Sequence, residues 1–122
     1  MIELYDLAGD DPAVRFSPYC WRTRMALAHK GLEVTTIPWR FTDRQAIAFS
    51  GQARVPVMRD EGEVIFDSWA IACHLESKYA DRPTLFGGAA GQAHARFINS
   101  WADTQLLGSI APMIIADLWR HC

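Results

Sequence analysis

The sequence predicts an α/β domain with a strand–helix–strand start, followed by the beginning of an all-helical domain. Three observations carry that expectation. Ile2–Leu7 and Glu33–Trp39 are β-rich and flank a punctuated helical stretch, SPYCWRTRMALAHKG, which makes a βαβ unit whose strands run parallel. Val55–Arg59 and Val64–Asp67 are short apolar runs joined by the hairpin signal RDEGE. Beyond DRPTLFGGAAG, which holds Pro and three Gly, only helical periodicity remains.

Each element has a local reason. Ser17 stands at a helix N-cap and Pro18 at N1, where a missing N–H costs nothing. Trp21, Met25 and Ala28 fall at i, i+4 and i+7 and predict the packing face, and Gly31 suits the left-handed C′ position. Thr42 with Gln45 predicts a capping box opening a short helix that stops near Ser50-Gly51. A further helix is expected from Ser68 to about Tyr79, with Ile71, Leu75 and Tyr79 on one stripe. The order βαβ, α, ββα describes a thioredoxin-like layer over residues 1–80, with a linker at 81–91. From Gln92, Trp101, Gly108, Ala111, Ile115 and Trp119 lie along one helical side, and Pro112 predicts a kink or break near Gly108-Ser109. One or two helices cannot bury a core alone, so residues 92–122 read as the start of an incomplete helical domain.

Bulk properties exclude several classes. Half of the 122 residues are hydrophobic and 21% are charged, so the chain can bury a core. Net charge is −2 with basic residues scattered, which argues against nucleic acid as a partner. MIELYDLAGDD has neither a basic nor an apolar leader region, and no apolar run approaches the roughly 18 residues of a membrane helix. Cys20, Cys73 and Cys122 are odd in number and widely spaced, which predicts reduced thiols and a cytoplasmic setting. His29, His74, His94 and His121 show no metal-ligand spacing, so no metal is expected.

Three positions have chemistry to offer beyond their structural roles. Ser17 opens a helix whose first amides and dipole favour an anion, and Pro18 leaves the Tyr19 and Cys20 N–H groups as donors. Ser17 occupies the first position of what would be a Cys-x-x-Cys motif. A hydroxyl there cannot carry electrons, but it can donate to another molecule's thiolate and keep that sulfur ionised. Val55-Pro56 places a proline inside a short strand, where it removes a ladder donor and fits an edge or a tight bend with a cis bond. The Val55 backbone there could pair with an extended peptide. Asp67-Ser68 opens the next helix, where Ser68 would hold a carboxylate and Asp67 an ammonium. Each is also an ordinary cap or edge strand. Together they suit a ligand with an amino-acid end, an extended middle and a thiol, the outline of γ-glutamyl-cysteinyl-glycine, glutathione.

At these residues the chain resembles the glutathione transferases along nearly its whole length. SPYCWRTRMALAHKGLEV, RVPVMRD, FDSWAIACHLESKYADRP and LFGG each resemble blocks of that family, and the first and third look closest to the bacterial β-etherase branch, which cleaves aryl ethers with glutathione. The resemblance implies that Ser17 lies beside the glutathione sulfur, that Val55 pairs with the cysteinyl backbone, and that Asp67 and Ser68 grip the γ-glutamyl end. It places Arg54 and Trp39 near the rest of the tripeptide. It also implies a small-molecule electrophile as second substrate and a homodimer. Two other readings stand beside it: a glutathione-binding interaction module without catalysis, and a thiol–disulfide oxidoreductase acting through Cys20.

Overall fold

The computed structural model describes residues 1–120, so the expectations for His121 and Cys122 lie outside the described residues. The chain divides into two compact units, Met1–Leu85 and Phe86–Cys122.

The first unit is built on a four-stranded sheet in the order β2-β1-β3-β4: β1 (Ile2–Leu7), β2 (Val34–Trp39), β3 (Val57–Asp60) and β4 (Glu63–Phe66). β1 pairs in parallel with β2 and antiparallel with β3, and β3 pairs antiparallel with β4. Glu61 (φ 51°) and Gly62 (φ 87°) form the turn of the β3–β4 hairpin. Positive φ at both central residues matches the twist that a two-residue hairpin loop requires. Helices α1 (Pro18–His29) and α2 (Ser68–Lys78) pack on one another, and the main core joins Ile2, Leu4, Ala26, Leu27, Met58, Ile71 and Leu75. A second cluster of Leu7, Cys20, Trp39, Ile47 and Val57 fills the end of the sheet where β1 and β2 finish.

α1 ends as predicted at Gly31 (φ 68°): the Gly31 N–H donates to Ala28 and the Leu32 N–H to Leu27, both at 3.0 Å, a Schellman closure. Its packing face is not the predicted one. Trp21 and Met25 are 41% and 63% exposed, while Cys20, Thr23, Ala26 and Leu27 are buried. Apart from Leu27, the inward face consists of small and polar side chains, and its last member, Lys30, is fully buried. An apolar-periodicity argument therefore selects the wrong side.

Two further expectations change. The segment after β2 is a 3₁₀ helix (Arg44–Ser50) with Asp43 at its N-cap and no side-chain cap, so the Thr42–Gln45 box does not form. Asp43 instead accepts from the Arg40 N–H on its carboxylate (3.2 Å) and from the Trp39 indole on its carbonyl (2.9 Å). β3 begins at Val57, which leaves Val55 and the cis-bonded Pro56 outside the strand.

In the second unit, α3 (Ala89–Trp101), a π-helical segment (Ala102–Leu106) and α4 (Leu107–Arg120) follow one another directly. Gly91 is obligatory, because a Cβ there would lie 1.8 Å from the Phe86 carbonyl oxygen. The predicted break at Gly108-Ser109 is absent: α4 runs through both residues and through Pro112. The irregularity is the wider-turned π segment one step upstream, a recognised way for a long helix to absorb local strain. Among the described residues, none of this unit's side chains is buried.

Candidate active site

The sheet register brings the predicted site residues to one end of the first unit. Tyr5 of β1 pairs with Val57 of β3, which pairs with Phe66 of β4. The chain leaves β1 just beyond that row toward Ser17, enters β3 from Val55-Pro56, and leaves β4 at Asp67-Ser68. Leu7 pairs with Trp39, so the end of β2 reaches the same edge. Four segments far apart in sequence thus converge without any one of them determining the others.

Ser17 is the N-cap of α1, with extended backbone (φ −73°, ψ 122°). Its hydroxyl oxygen accepts from the Cys20 N–H at 3.3 Å, and its carbonyl accepts from Trp21 at 3.0 Å. The oxygen acts as acceptor in the cap, and the same hydroxyl also lies beside the Cys20 sulfur, whose pKa it works to lower. With Pro18 lacking an N–H and Cys20 engaged by the cap, Tyr19 carries the first-turn amide that has no acceptor within the helix. Ser17 is only 6% exposed, so the hydroxyl sits in a low-dielectric wall where a hydrogen bond to charge is strengthened.

Cys20 cannot serve as a thiolate here. It is fully buried, and burial pushes its thiol up to about 11, with Asp6 adding to the rise against the opposing influence of the Leu7 backbone and Ser17. A disulfide exchange mechanism through Cys20 is therefore unsupported.

Asp67 holds an unusual backbone (φ 71°, ψ 124°), a conformation that costs a non-glycine residue about 1–3 kcal/mol. Its carboxylate caps α2 by accepting from Ala70 N–H at 3.1 Å, and it remains exposed. Ser68, next in the chain, is 6% exposed. Arg54 is exposed and Val55 half-buried against the second core cluster, with Pro56 buried beside it. Trp39 is placed differently from the other residues: it is 2% exposed and its indole N–H is taken by Asp43, so it supports the site from within.

Sequence reasoning missed Asp6 and Arg15. Asp6 is wholly buried on β1, and its Oδ2 receives Arg15 at 3.0 Å and Arg24 at 3.5 Å. The signal was present: Ile2, Leu4 and Asp6 alternate on one face, so a carboxylate follows two core residues inward.

A four-stranded mixed sheet with this order, a helix start at the β1 end and a cis-proline before β3 defines a thioredoxin-like fold. Residues 16–78, slightly more than half of the sequence, match the glutathione S-transferase N-terminal domain, and the chain belongs to that family. It is similar to the maleylacetoacetate isomerase of Pseudomonas aeruginosa, at 30% identity over 83% of this chain and 52% of that protein. Among solved structures, a glutathione transferase of Phanerochaete chrysosporium superposes with a TM-score of 0.87 at 28% identity, covering 98% of this chain and 54% of that one. A glutathione S-transferase of Ceriporiopsis subvermispora in complex with glutathione gives 0.81 at 26% identity, covering 98% and 53%. The chain spans about half the length of the curated relatives it matches, plant zeta-class transferases among them.

Proposed function

We propose that this chain forms the glutathione half-site of a glutathione transferase, with Ser17 as the residue that stabilises the glutathione thiolate. The observation that supports the reading is the register Tyr5–Val57–Phe66, because the segments carrying Ser17, Val55-Pro56 and Asp67-Ser68 leave or enter the strands at that end of the sheet. In this reading the cysteinyl backbone pairs at Val55, the γ-glutamyl end rests on Asp67 and Ser68, and Arg54 reaches the remaining carboxylate. Trp39 acts only through the wall it supports. The glutathione complex of the Ceriporiopsis relative supports the same ligand.

The energetics require both parts of the thiol site. A helix terminus contributes roughly 0.3–1 kcal/mol, up to ~2 when partly buried. At about 1.36 kcal/mol per pKa unit, the helix alone moves a thiol from about 8.5 by at most one and a half units. The Ser17 hydroxyl must supply the rest.

For the second substrate, the resemblance of SPYCWRTR and DSWAIACHLESKY to the β-etherase branch points to an aryl ether. There the thiolate attacks the ether carbon, the C–S bond forms as C–O breaks, and the departing aryloxide takes up the proton the thiol released. Similarity to the maleylacetoacetate isomerase supports a second reading, reversible thiolate addition to a conjugated double bond. The reading also includes a homodimer in the cytoplasm. No described helix is long and apolar enough to cross a membrane.

Ser17→Ala tests the assignment. Turnover should fall at least tenfold while glutathione affinity stays within a few-fold, with a stability loss of about 1 kcal/mol from the missing cap. Equal turnover in the variant contradicts the role of Ser17. Glutathione binding by the wild type without turnover of any electrophile in either class selects the interaction module.

A further inference from the structure

We infer that Asp6 is a positioning residue for Ser17, acting through Arg15; the inference rests on the transferase reading of the Ser17 site. The segment between β1 and α1 contains no regular element, yet it must hold Ser17 against the sheet end. Its backbone is tied by an isolated antiparallel bridge from Ala8 to Arg15 and by the Gly9 N–H donating to Val14 at 3.0 Å. The arginine side chain then fixes it in two directions. Its Nη1 donates to Asp6 Oδ2 at 3.0 Å and its Nε to the Pro12 carbonyl at 2.6 Å.

The same residue reaches α1 through its backbone. The Arg15 carbonyl accepts from the Trp21 indole at 2.9 Å, and Arg24 stacks on that indole at 4.1 Å while contacting Asp6 Oδ2 at 3.5 Å. Asp6, Arg15, Trp21 and Arg24 thus form a closed chain of contacts that ties the segment before Ser17 to the first turns of the helix. A buried carboxylate is costly to retain unless its partners compensate, and here both arginines contact Oδ2 while the Cys20 thiol lies beside the same carboxylate. A hydrophobic residue in line with Ile2 and Leu4 would fill the same face without that cost. What the carboxylate adds is the fixed orientation of Arg15, two residues before the hydroxyl.

Two explanations for Asp6 predict opposite signs. If it acted only through its charge, removing a negative group near the thiolate would favour ionisation and lower the glutathione thiol pKa. If it positions Ser17, removal loosens the hydroxyl and raises that pKa. The experiment is an ultraviolet thiolate titration of glutathione bound to wild type, Asp6→Asn, Arg15→Gln and Ser17→Ala, with affinity measured in parallel by calorimetry. The expected result is a rise of about one unit in both Asp6→Asn and Arg15→Gln, equivalent to roughly tenfold less thiolate below the pKa, with affinity changed less than threefold. Arg15 is partly exposed, and Arg15→Lys, which keeps the positive charge but loses the fork joining Asp6 to the Pro12 carbonyl, should show the same rise and keeps the test available if Asp6→Asn does not fold. A fall or no change in the folded variants, alongside a rise in Ser17→Ala, overturns the positioning role alone. No binding by wild type, or no rise in Ser17→Ala, overturns the transferase reading beneath it.

Discussion

The two ends of the sheet are built on opposite principles. At the end carrying Ser17, the chain enters and leaves the strands through caps and turns, with a strained Asp67 and polar groups whose bonding capacity is only partly used. At the other end, α1 and α2 finish in ion pairs built around two buried charges, Lys30 and Asp60. Lys30 is fully buried and gives its three donors to Glu76 (2.8 Å) and to the carbonyls of Tyr79 and Pro83 (3.2 Å each). Asp60 is equally buried, at the β3 hairpin, and receives His74 and the Tyr79 hydroxyl at 2.9 Å and Lys78 at 3.1 Å. One small domain thus separates a locked polar network from the end at which a ligand site is proposed. Cooperative, satisfied polar networks lock one end, so the other can hold unsatisfied groups ready for a ligand.

That separation breaks down if far-end variants alter ligand binding, so the largest expected effect is the first test. Lys30→Ala removes a fully buried cation from the part-exposed Glu76, and breaking a buried pair costs up to about 3–5 kcal/mol. Urea unfolding should show that loss, while the molecules still folded bind glutathione with unchanged affinity. Lys30→Met, which retains bulk and avoids the charge, should cost clearly less.

Asp60 gives the next effect and a pH signature. Burial works to raise its carboxyl pKa, but the hydrogen bonds from His74, Lys78 and Tyr79 outweigh it and hold the group below its ordinary 3.8. A carboxylate depressed in the folded state stabilises above the unfolded pKa and loses that contribution as pH falls through the folded one. Wild type should therefore lose stability below about pH 4. Asp60→Asn should cost about 1.5–3 kcal/mol at neutral pH, the worth of hydrogen bonds to a charge, and flatten the acid limb. Thermal melts from neutral to acid pH compare the two directly.

The smallest stability effect belongs to the site end. Asp67→Gly removes backbone strain of about 1–3 kcal/mol. Against that stand a cap loss of a few tenths and a glycine entropy cost of about 0.5–1. Stability should lie between that of wild type and about 2 kcal/mol above it on these terms, yet glutathione affinity should fall. Asp67→Ala keeps the strain and loses the cap, so it should cost about 1 kcal/mol and also weaken binding. Unchanged affinity in both variants would sever Asp67 from the ligand.

The site end was legible in the sequence because its determinants are local. Ser17-Pro18, Val55-Pro56 and Asp67-Ser68 announce caps and a turn from adjacent residues, and Gly31 announces a helix stop. The locking end was not legible, because its determinants are distant partners. Nothing near Lys30 indicates that Glu76 will neutralise it, so the Cys20–Thr23–Leu27–Lys30 side of α1 reads as the wet face and Trp21–Met25 as the dry one. The Thr42–Gln45 pattern failed for a related reason: Trp39 and Arg40 claim Asp43, and the segment starts one residue later as a tighter helix. The break expected from Pro112 near Gly108-Ser109 does not form: α4 runs through it, and the irregular turn is the π segment at Ala102–Leu106.

The most direct measurement of the account is an amide chemical-shift titration of the chain with reduced glutathione. It should perturb residues 17–20, 54–57 and 67–70 together, saturating with one affinity, and leave Asp60, His74 and Tyr79 unmoved. Perturbation centred on the hairpin end, or none at saturating glutathione, would contradict the claim that the Ser17 end of the sheet is the binding site.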